Sequence, residues 1–245
     1  MVHLSDAAWP DLRDAETNLA VVPVGSTEQH GPHAPLRTDA VNAEVVAEAG
    51  VERTDEDVVV APTVPVGVSA EHRHFAGTLW VSPDTFRSYV REVVESLATH
   101  GFDRVVLVNG HGGNVDALRE LSAAVSRSGV AFVVPFTWFD AVGEHRGDMG
   151  HAGPLETALL RAARPELVRE DRIESAREGA ADRWGDWVEG VNLAYDSAEF
   201  SENGVVGDPE AGDAELGEEL LDRAAASLSA LLAAVAEREQ FEPRR

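Results

Sequence analysis

Short apolar runs alternate with longer amphipathic segments along this chain, and that alternation narrows the possible folds more than any other feature. Four apolar runs have the length and β-branched composition of buried strands: residues 19–24, 58–65, 104–108 and 130–136. Five amphipathic segments predict helices: residues 40–53, 83–100, 115–128, 155–163 and 211–238. Because strands and helices alternate, we predict an α/β fold in three layers, with a mostly parallel central sheet flanked by helices on both faces.

Length and cysteine content limit the remaining possibilities. We predict that residues 1–245 form a single domain, and we find no internal repeat. No stretch approaches the roughly 18 apolar residues of a membrane span, and the first ten residues lack a signal-peptide pattern, so we expect a cytoplasmic protein. The chain has no cysteine, so any metal would be held by His, Asp and Glu.

The charge of the chain bears on its partners. The formal net charge is −24, and all 20 basic residues are arginine. Such a surface repels nucleic acid and anionic membranes, so we expect neither as a partner. The acidic residues are dispersed, which we interpret as adaptation to high salt in a halophilic, archaeal source. The alternative, an acidic face for a cationic partner, fits dispersed acids less well.

The segment after the first strand carries three potential metal ligands. It reads Gly-Ser-Thr-Glu-Gln-His-Gly-Pro-His-Ala-Pro-Leu-Arg-Thr-Asp over residues 25–39 and contains Glu28, His30 and Asp39. An extended backbone points Glu28 and His30 the same way, and a turn at residues 31–32 lets Asp39 fold back. Carboxylate and imidazole together suit Zn²⁺, Mn²⁺ or Fe²⁺. A polar loop with one surface histidine is the alternative interpretation.

A glycine-rich loop follows the third predicted strand. It reads Asn-Gly-His-Gly-Gly-Asn over residues 109–114, and its spacing matches neither a dinucleotide-binding loop nor a P-loop. Glycines around His111 indicate close approach of the backbone to a substrate or metal. Asn109 and Asn114 are expected to orient the loop through side-chain to backbone hydrogen bonds.

A third loop precedes the helix predicted from residue 155. Pro154 is expected to begin that helix, which places Glu156 in its first turn, where a carboxylate is favoured by the helix dipole; a capping role is therefore an alternative to metal binding. His151 lies just before the helix and is a candidate for proton transfer, because imidazole titrates near neutral pH.

The loop over residues 67–78 contains Glu71, His72 and His74, and we expect one of them, and not all three, to face a pocket. In parallel sheets the active site lies beyond the carboxyl ends of the strands, where these loops fall. We expect substrate selectivity to come from residues 67–78, 136–150 and 180–203. Ordinary packing is an equal alternative for the aromatic residues of that last stretch, Trp184, Trp187 and Tyr195.

Taken in order, these motifs resemble the creatininase family of metal hydrolases. The resemblance covers about residues 15–215 and rests on residues 25–33 with 38–39, 67–69 with 77–78, 109–114, 151–157 and 203–209. It implies that Glu28, His30, Asp39 and His111 bind two divalent ions, with Asp39 as the bridge and Glu156 as a further ligand. The expected metal is Zn²⁺, with Fe²⁺ or Mn²⁺ as alternatives.

One position departs from creatininase itself. Creatininase has a metal-binding glutamate two residues after the histidine of the glycine-rich motif, and this chain has Gly113 there. The departure argues against creatinine as substrate and favours the Asn-Gly-His-Gly-Gly-Asn branch of the family. That branch includes an archaeal formamide hydrolase of flavin and deazaflavin biosynthesis and a peptide-trimming enzyme of mycofactocin maturation. A salt-adapted source fits the first of these better.

The resemblance implies an amidohydrolase that cleaves a C–N amide or formamide bond other than a peptide bond, by a metal-activated water. Its substrate would be a small molecule. His151 is the candidate proton donor to the leaving nitrogen, and Glu156 joins it in the predicted catalytic set. A deformylase of a formamidopyrimidine ribonucleotide is one alternative, and a non-catalytic metabolite-binding or assembly subunit is another. The family also implies a homo-oligomer, a hexamer.

Overall fold

A parallel five-stranded sheet forms the centre of the computed structural model, which describes residues 1–238. Its strands are β1 (Val2–His3), β2 (Leu19–Val24), β3 (Val59–Val60), β4 (Arg104–Asn109) and β5 (Phe132–Thr137). They lie in the order β1-β3-β2-β4-β5, and every neighbouring pair in this sheet is parallel. β2 is buried along its whole length, which explains its continuous apolar sequence.

Helices cover both faces of this sheet. They are α1 (Trp9–Arg13), α2 (Thr38–Arg53), α3 (Pro83–Thr99), α4 (Val115–Ser128), α5 (Pro154–Ala163), α6 (Ile173–Glu178) and α7 (Ala214–Ala236). One core lies between the sheet and α2, α5 and α7, and a second lies between the sheet and α3 and α4. The predicted three-layer α/β architecture is therefore confirmed.

Local sequence signals account for several element ends. Ser82 caps α3 by accepting a hydrogen bond from the Thr85 N–H at 3.2 Å, and Pro83 occupies the first helical position. Gly101 follows α3 with φ +95°, a conformation that favours glycine. Asp213 caps α7, so this helix begins at Ala214, three residues later than the sequence predicted.

The second predicted strand is shorter than expected. The apolar pattern predicted residues 58–65, but β3 contains only Val59 and Val60, and a single further bridge joins Val64 to β2. Pro62 and Pro65 explain the difference, because proline has no N–H to donate to a sheet ladder. The sequence also did not predict β1, α1, α6 or the hairpin of β6 (Trp187–Val188) and β7 (Val191–Asn192).

Across residues 1–238, the helices are too short or too polar to cross a bilayer. The parallel arrangement brings the ends of β2 and β4 to the same edge of the sheet, since Val24 pairs with Asn109. The loops that carry the predicted ligands begin at this edge.

Candidate metal centre

Hydrogen bonds tie together the loops that follow β2, β3 and β4. The Asn114 side chain donates to the Gly25 carbonyl at 3.0 Å and accepts from the Val68 N–H at 2.9 Å. The Asn109 side chain accepts from the His111 N–H at 3.1 Å and donates to the His111 carbonyl at 2.8 Å. The predicted orienting role of these two asparagines is thus confirmed, and the loop positions are fixed relative to one another.

Asp39 lies at the centre of the predicted ligand set. The sequence pattern predicted that Asp39 folds back on a loop, but α2 begins at Thr38, so Asp39 belongs to the first helical turn. Its carboxylate is 1% exposed. The helix holds Asp39 rigidly between the loops that follow β2 and β4, and the positive helix N-terminus favours a carboxylate at this position.

The two oxygens of Asp39 face two different groups of side chains. Asp39 Oδ2 is 3.2 Å from His111 Nδ1, which is also 3.2 Å from Glu28 Oε1. Asp39 Oδ1 is 3.1 Å from His30 Nε2, which lies 3.6 Å from Glu156 Oε1. The structure thus brings all five predicted ligands together, as two groups that share the Asp39 carboxylate.

Backbone hydrogen bonds select which imidazole nitrogen faces each group. His111 Nε2 lies 2.7 Å from the Val68 carbonyl, and His30 Nδ1 lies 3.2 Å from the Glu28 carbonyl. A carbonyl only accepts, so each of these nitrogens carries the proton of the neutral ring. The other nitrogens, His111 Nδ1 and His30 Nε2, then present lone pairs to the carboxylates, as metal-binding histidines do.

Several atoms of this cluster are buried without a hydrogen-bond partner among residues 1–238. They are both carboxylate oxygens of Glu28, Nε2 of His30 and Oδ2 of Asp39. An unpaired buried carboxylate is costly, and carboxylate with imidazole is a ligand set that divalent transition metals accept. The residues present therefore fit a metal centre.

Burial and neighbouring charges act in opposite directions on the pKa values of this cluster. Burial is the largest influence on the Glu28 carboxyl and raises its pKa to about 7. Burial alone would lower the pKa values of His30 and His111, but the neighbouring carboxylates outweigh it and raise both well above the ordinary range. Burial would raise the pKa of Asp39, yet the two imidazoles beside it hold that pKa below its usual value. In the metal-free cluster, protons on the imidazoles thus supply positive charge beside the carboxylates.

Glu156 lies in the first turn of α5, as predicted, and its two oxygens have different surroundings. Oε2 accepts a hydrogen bond of 2.6 Å from the N–H of Ala152, which has a left-handed φ of 50°. Oε1 points the other way, toward His30 Nε2. The geometry therefore combines the two alternatives, because one oxygen holds the loop before the helix while the other remains available to a metal.

His151 and His72 complete one side of the cluster. Their rings stack with centroids 4.1 Å apart. His151 Nδ1 lies 3.6 Å from Glu28 Oε1, and His72 Nε2 lies 3.5 Å from the same oxygen. Burial lowers the pKa of His151 well below its ordinary value, which favours the neutral ring.

Two residues of the 67–78 loop, His72 and Glu71, lie at the cluster, which is one more than expected but not all three. A short helical turn over Ala70–His72 directs His72 into the cluster, and Glu71 Oε1 lies 3.9 Å from His111 Nε2. His74 points away and bonds Asp196 Oδ2 at 3.1 Å. Spacing alone could not show that this turn presents two adjacent side chains to one site.

Of the three aromatic residues named from the sequence, Trp184 lies beside the cluster. Its ring is 5.6 Å from that of His72 and 6.1 Å from that of His151. Trp187 and Tyr195 are 45% and 83% exposed and belong to the surface around the β6–β7 hairpin.

The metal-free protein is expected to lose stability as the pH rises above about 6.5. The raised pKa values of His30 and His111 mean that the folded chain keeps protons that the unfolded chain releases. The stabilisation by these protons is fully present below the ordinary value of 6.5 and is lost as the pH rises through the raised values. Three further buried histidines have lowered pKa values, so they affect the unfolding free energy only below about pH 6.5. They are His33, His72 and His151.

Urea unfolding of chelator-treated protein between about pH 6.5 and 9, at constant salt, measures this loss. The His111→Asn variant is the control, because it removes one of the two groups and should flatten the pH dependence. An unfolding free energy that does not change over this range in the unsubstituted protein would contradict the assignment.

Comparison with known proteins identifies the family of this chain. A family model described as creatinine amidohydrolase matches residues 5–232. The mycofactocin precursor peptide peptidase of Mycolicibacterium smegmatis is 37% identical over 207 residues, covering 82% of this chain and 79% of that protein. Its counterpart in Mycobacterium ulcerans is 36% identical over 176 residues, covering 69% of this chain but 64% of the relative's length.

A solved structure described as "Creatininase Mn" shares the fold. It matches with a TM-score of 0.79 and 23% identity, and the match covers 97% of this chain and 99% of that one. The family model spans nearly the whole described chain, and the two curated relatives exceed 30% identity over more than two thirds of it. The chain therefore belongs to the creatininase family, a family of hydrolases that act on carbon–nitrogen amide bonds.

Proposed function

We propose that this protein is a two-metal amidohydrolase that cleaves an amide or formamide bond with water. One observation carries the proposal: the two oxygens of Asp39 face two separate groups of lone-pair donors, with Glu28 and His111 on one side and His30 and Glu156 on the other. A shared carboxylate between two such groups is the arrangement that a pair of divalent ions requires.

Two divalent ions held there would acidify a water molecule and polarise the substrate carbonyl. Zn²⁺ is the metal we propose, with Fe²⁺ or Mn²⁺ as alternatives, because His and carboxylate ligands accept all three. The protein's own part is to hold the ligands in place. The α2 helix fixes Asp39, Val68 orients His111, and Ala152 holds Glu156.

His151 is the residue we propose for proton movement. Its Nε2–H donates to the Gln29 carbonyl at 2.7 Å, which leaves Nδ1 as the free nitrogen on the side of the cluster. Because the ring is neutral, Nδ1 takes a proton from the attacking water and then delivers it to the leaving nitrogen. The sequence predicted His151 as a group for proton transfer and as the donor to the leaving nitrogen, and its unprotonated Nδ1 on the side of the cluster supports this role.

Two substrate classes follow from different observations. The Gly113 motif favours a formamide, as in a formamidopyrimidine ribonucleotide deformylase. The relatives described as mycofactocin precursor peptide peptidases favour the terminal amide bond of a peptide. Trp184 beside His72 and His151 offers an aromatic face that either a pyrimidine ring or a peptide side chain would contact.

A substrate panel distinguishes these classes. Purified protein loaded separately with Zn²⁺, Mn²⁺ and Fe²⁺ is offered creatinine, the formamidopyrimidine nucleotide and a short peptide, in buffers of high and low salt. Formate release from the nucleotide without turnover of creatinine is the expected result. Cleavage of the peptide alone would move the chain to the peptidase class, and creatinine turnover would refute the argument from Gly113.

The non-catalytic alternative predicts no bound divalent metal in the purified protein. The unpaired buried oxygens of Glu28 argue against it, because a binding subunit gains nothing from them. We further propose that the chain acts as a homo-oligomer, a hexamer as in the family. Metal analysis and sedimentation of the same sample would test both statements.

A further inference from the structure

Gln29 lies between the two ligands Glu28 and His30, but its side chain leaves the metal cluster and is 5% exposed. The amide oxygen accepts the Gly31 N–H at 2.9 Å, and the amide nitrogen donates to the Gly204 carbonyl at 3.0 Å. The reversed orientation would oppose two carbonyl oxygens at one end and two N–H groups at the other. The two backbone groups therefore fix which end of the Gln29 amide is nitrogen.

This orientation determines the tautomer of His72. The remaining proton of the Gln29 amide points at His72 Nδ1, 2.9 Å away. Nδ1 must accept this hydrogen bond, so the proton of the neutral His72 ring resides on Nε2. The Ser197 hydroxyl, 2.9 Å from the same Nδ1, can donate to it or to the Glu71 carbonyl and does not oppose this tautomer.

Gln29 also orients His151, through its main chain. The Gln29 carbonyl accepts the Nε2–H of His151 at 2.7 Å, so His151 turns its unprotonated Nδ1 toward Glu28 Oε1. His72 turns its protonated Nε2 toward the same oxygen. The two stacked rings thus present one donor and one acceptor side by side.

We propose that Gln29 and His72 are positioning residues: Gln29 holds His72 with its Nε2–H directed toward Glu28 and holds His151 as the free proton acceptor. Glu28, His72 and His151 have the spacing of a metal-ligand group. A donor N–H repels a cation, so His72 closes this corner to a metal ion and keeps Glu28 directed toward Asp39 and His111. His151 has the same spacing with His30 and Glu156, and the hydrogen bond to the Gln29 carbonyl leaves its Nδ1 unprotonated for proton transfer.

Nitrogen NMR of metal-free protein with ¹⁵N-labelled histidine tests the proposal without any activity. His72→Ala supplies the assignment by removing its signals. We expect His72 Nδ1 to show the shift of an unprotonated nitrogen and Nε2 that of a protonated one. A protonated Nδ1 in the unsubstituted protein would overturn the proposal, and this reading does not depend on the proposed hydrolase function.

Metal content gives a second reading. An N–H donor cannot be a metal ligand, so His72→Ala should bind as many metal ions as the unsubstituted protein. Its kcat should fall about 10- to 100-fold, the usual effect of losing a residue that orients a ligand. His74→Ala is the matched control in the same loop and should change neither quantity. Loss of a metal ion from His72→Ala would show that His72 is a ligand and would overturn the proposal.

Gln29→Glu replaces the hydrogen-bond donor that faces His72 Nδ1 with an acceptor. A carboxylate at this position accepts rather than donates, so the proton of His72 is expected to move to Nδ1, while His151 keeps its Nε2–H because the main chain is unchanged. This split between the two histidines would not arise from a general loss of structure. An unchanged His72 tautomer in a folded Gln29→Glu protein would contradict the role of Gln29. Of these measurements, only that of kcat rests on the proposed hydrolase function.

Discussion

Replacing Asp39 with asparagine is expected to remove both bound metal and hydrolytic activity while the fold persists. Asparagine has nearly the same shape, so α2 should still begin at Thr38. The amide carries no charge, and its NH₂ group would face the lone pair of either His30 or His111 instead of a cation. We expect kcat to fall by more than about 100-fold, the upper figure for residues that only orient a ligand.

Metal analysis and initial rates of Asp39→Asn measure this effect. Asp222→Asn is the matched control, since Asp222 is an exposed carboxylate that pairs with Arg53 on the far side of α2 and α7. It should retain the metal content and rate of the unsubstituted protein. If Asp39→Asn keeps one ion and most of its activity, Asp39 does not join the two groups of ligands.

Replacing Gly113 with alanine is expected to damage the site from a position that carries no ligand. A Cβ at residue 113 would overlap the Val68 carbonyl oxygen and crowd His111 Nε2, the two groups that bond each other. The backbone would have to move, and overpacking of this kind costs about 1–3 kcal/mol. Because the Val68 carbonyl orients His111, we expect metal affinity to fall about 10- to 100-fold.

The neighbouring glycine provides the control for Gly113→Ala. A Cβ at Gly112 meets no atom within 4 Å, so Gly112→Ala should change stability by less than about 0.5 kcal/mol and leave metal binding intact. Denaturant unfolding and metal titration compare the two variants. Equal behaviour of Gly112→Ala and Gly113→Ala would show that the Val68–His111 contact does not require glycine.

The same contact shows why a glutamate at residue 113 would not convert this site into that of creatininase. The loop over residues 67–78 approaches His111 so closely that no side chain fits at residue 113. Glu71 from that loop lies beside His111 instead, with its pKa raised by burial. Besides Glu28 and Asp39, a third carboxylate thus lies near His111, and it comes from the 67–78 loop and not from the glycine-rich motif.

The sequence by itself determined the layers of the fold and a set of candidate ligands. Short apolar runs of β-branched residues without charges predict strands buried on both faces, and they located β2 and β4 nearly to the residue. Glu28, His30 and Asp39 stood out as candidate ligands from the segment after a strand, and the family resemblance added His111 and Glu156. Parallel topology brings the loops after β2 and β4 together.

Only the tertiary structure decided what each of these side chains faces. Periodicity reports which face of an element is apolar, but it carries no information on contacts between distant loops. Thus the sequence could not show that Asp39 divides its two oxygens between two groups, that Glu156 uses one oxygen for Ala152, or that His72 enters the site. Those facts arise from hydrogen bonds between residues far apart in the chain, which fix ring tautomers and lone-pair directions only once the loops have met.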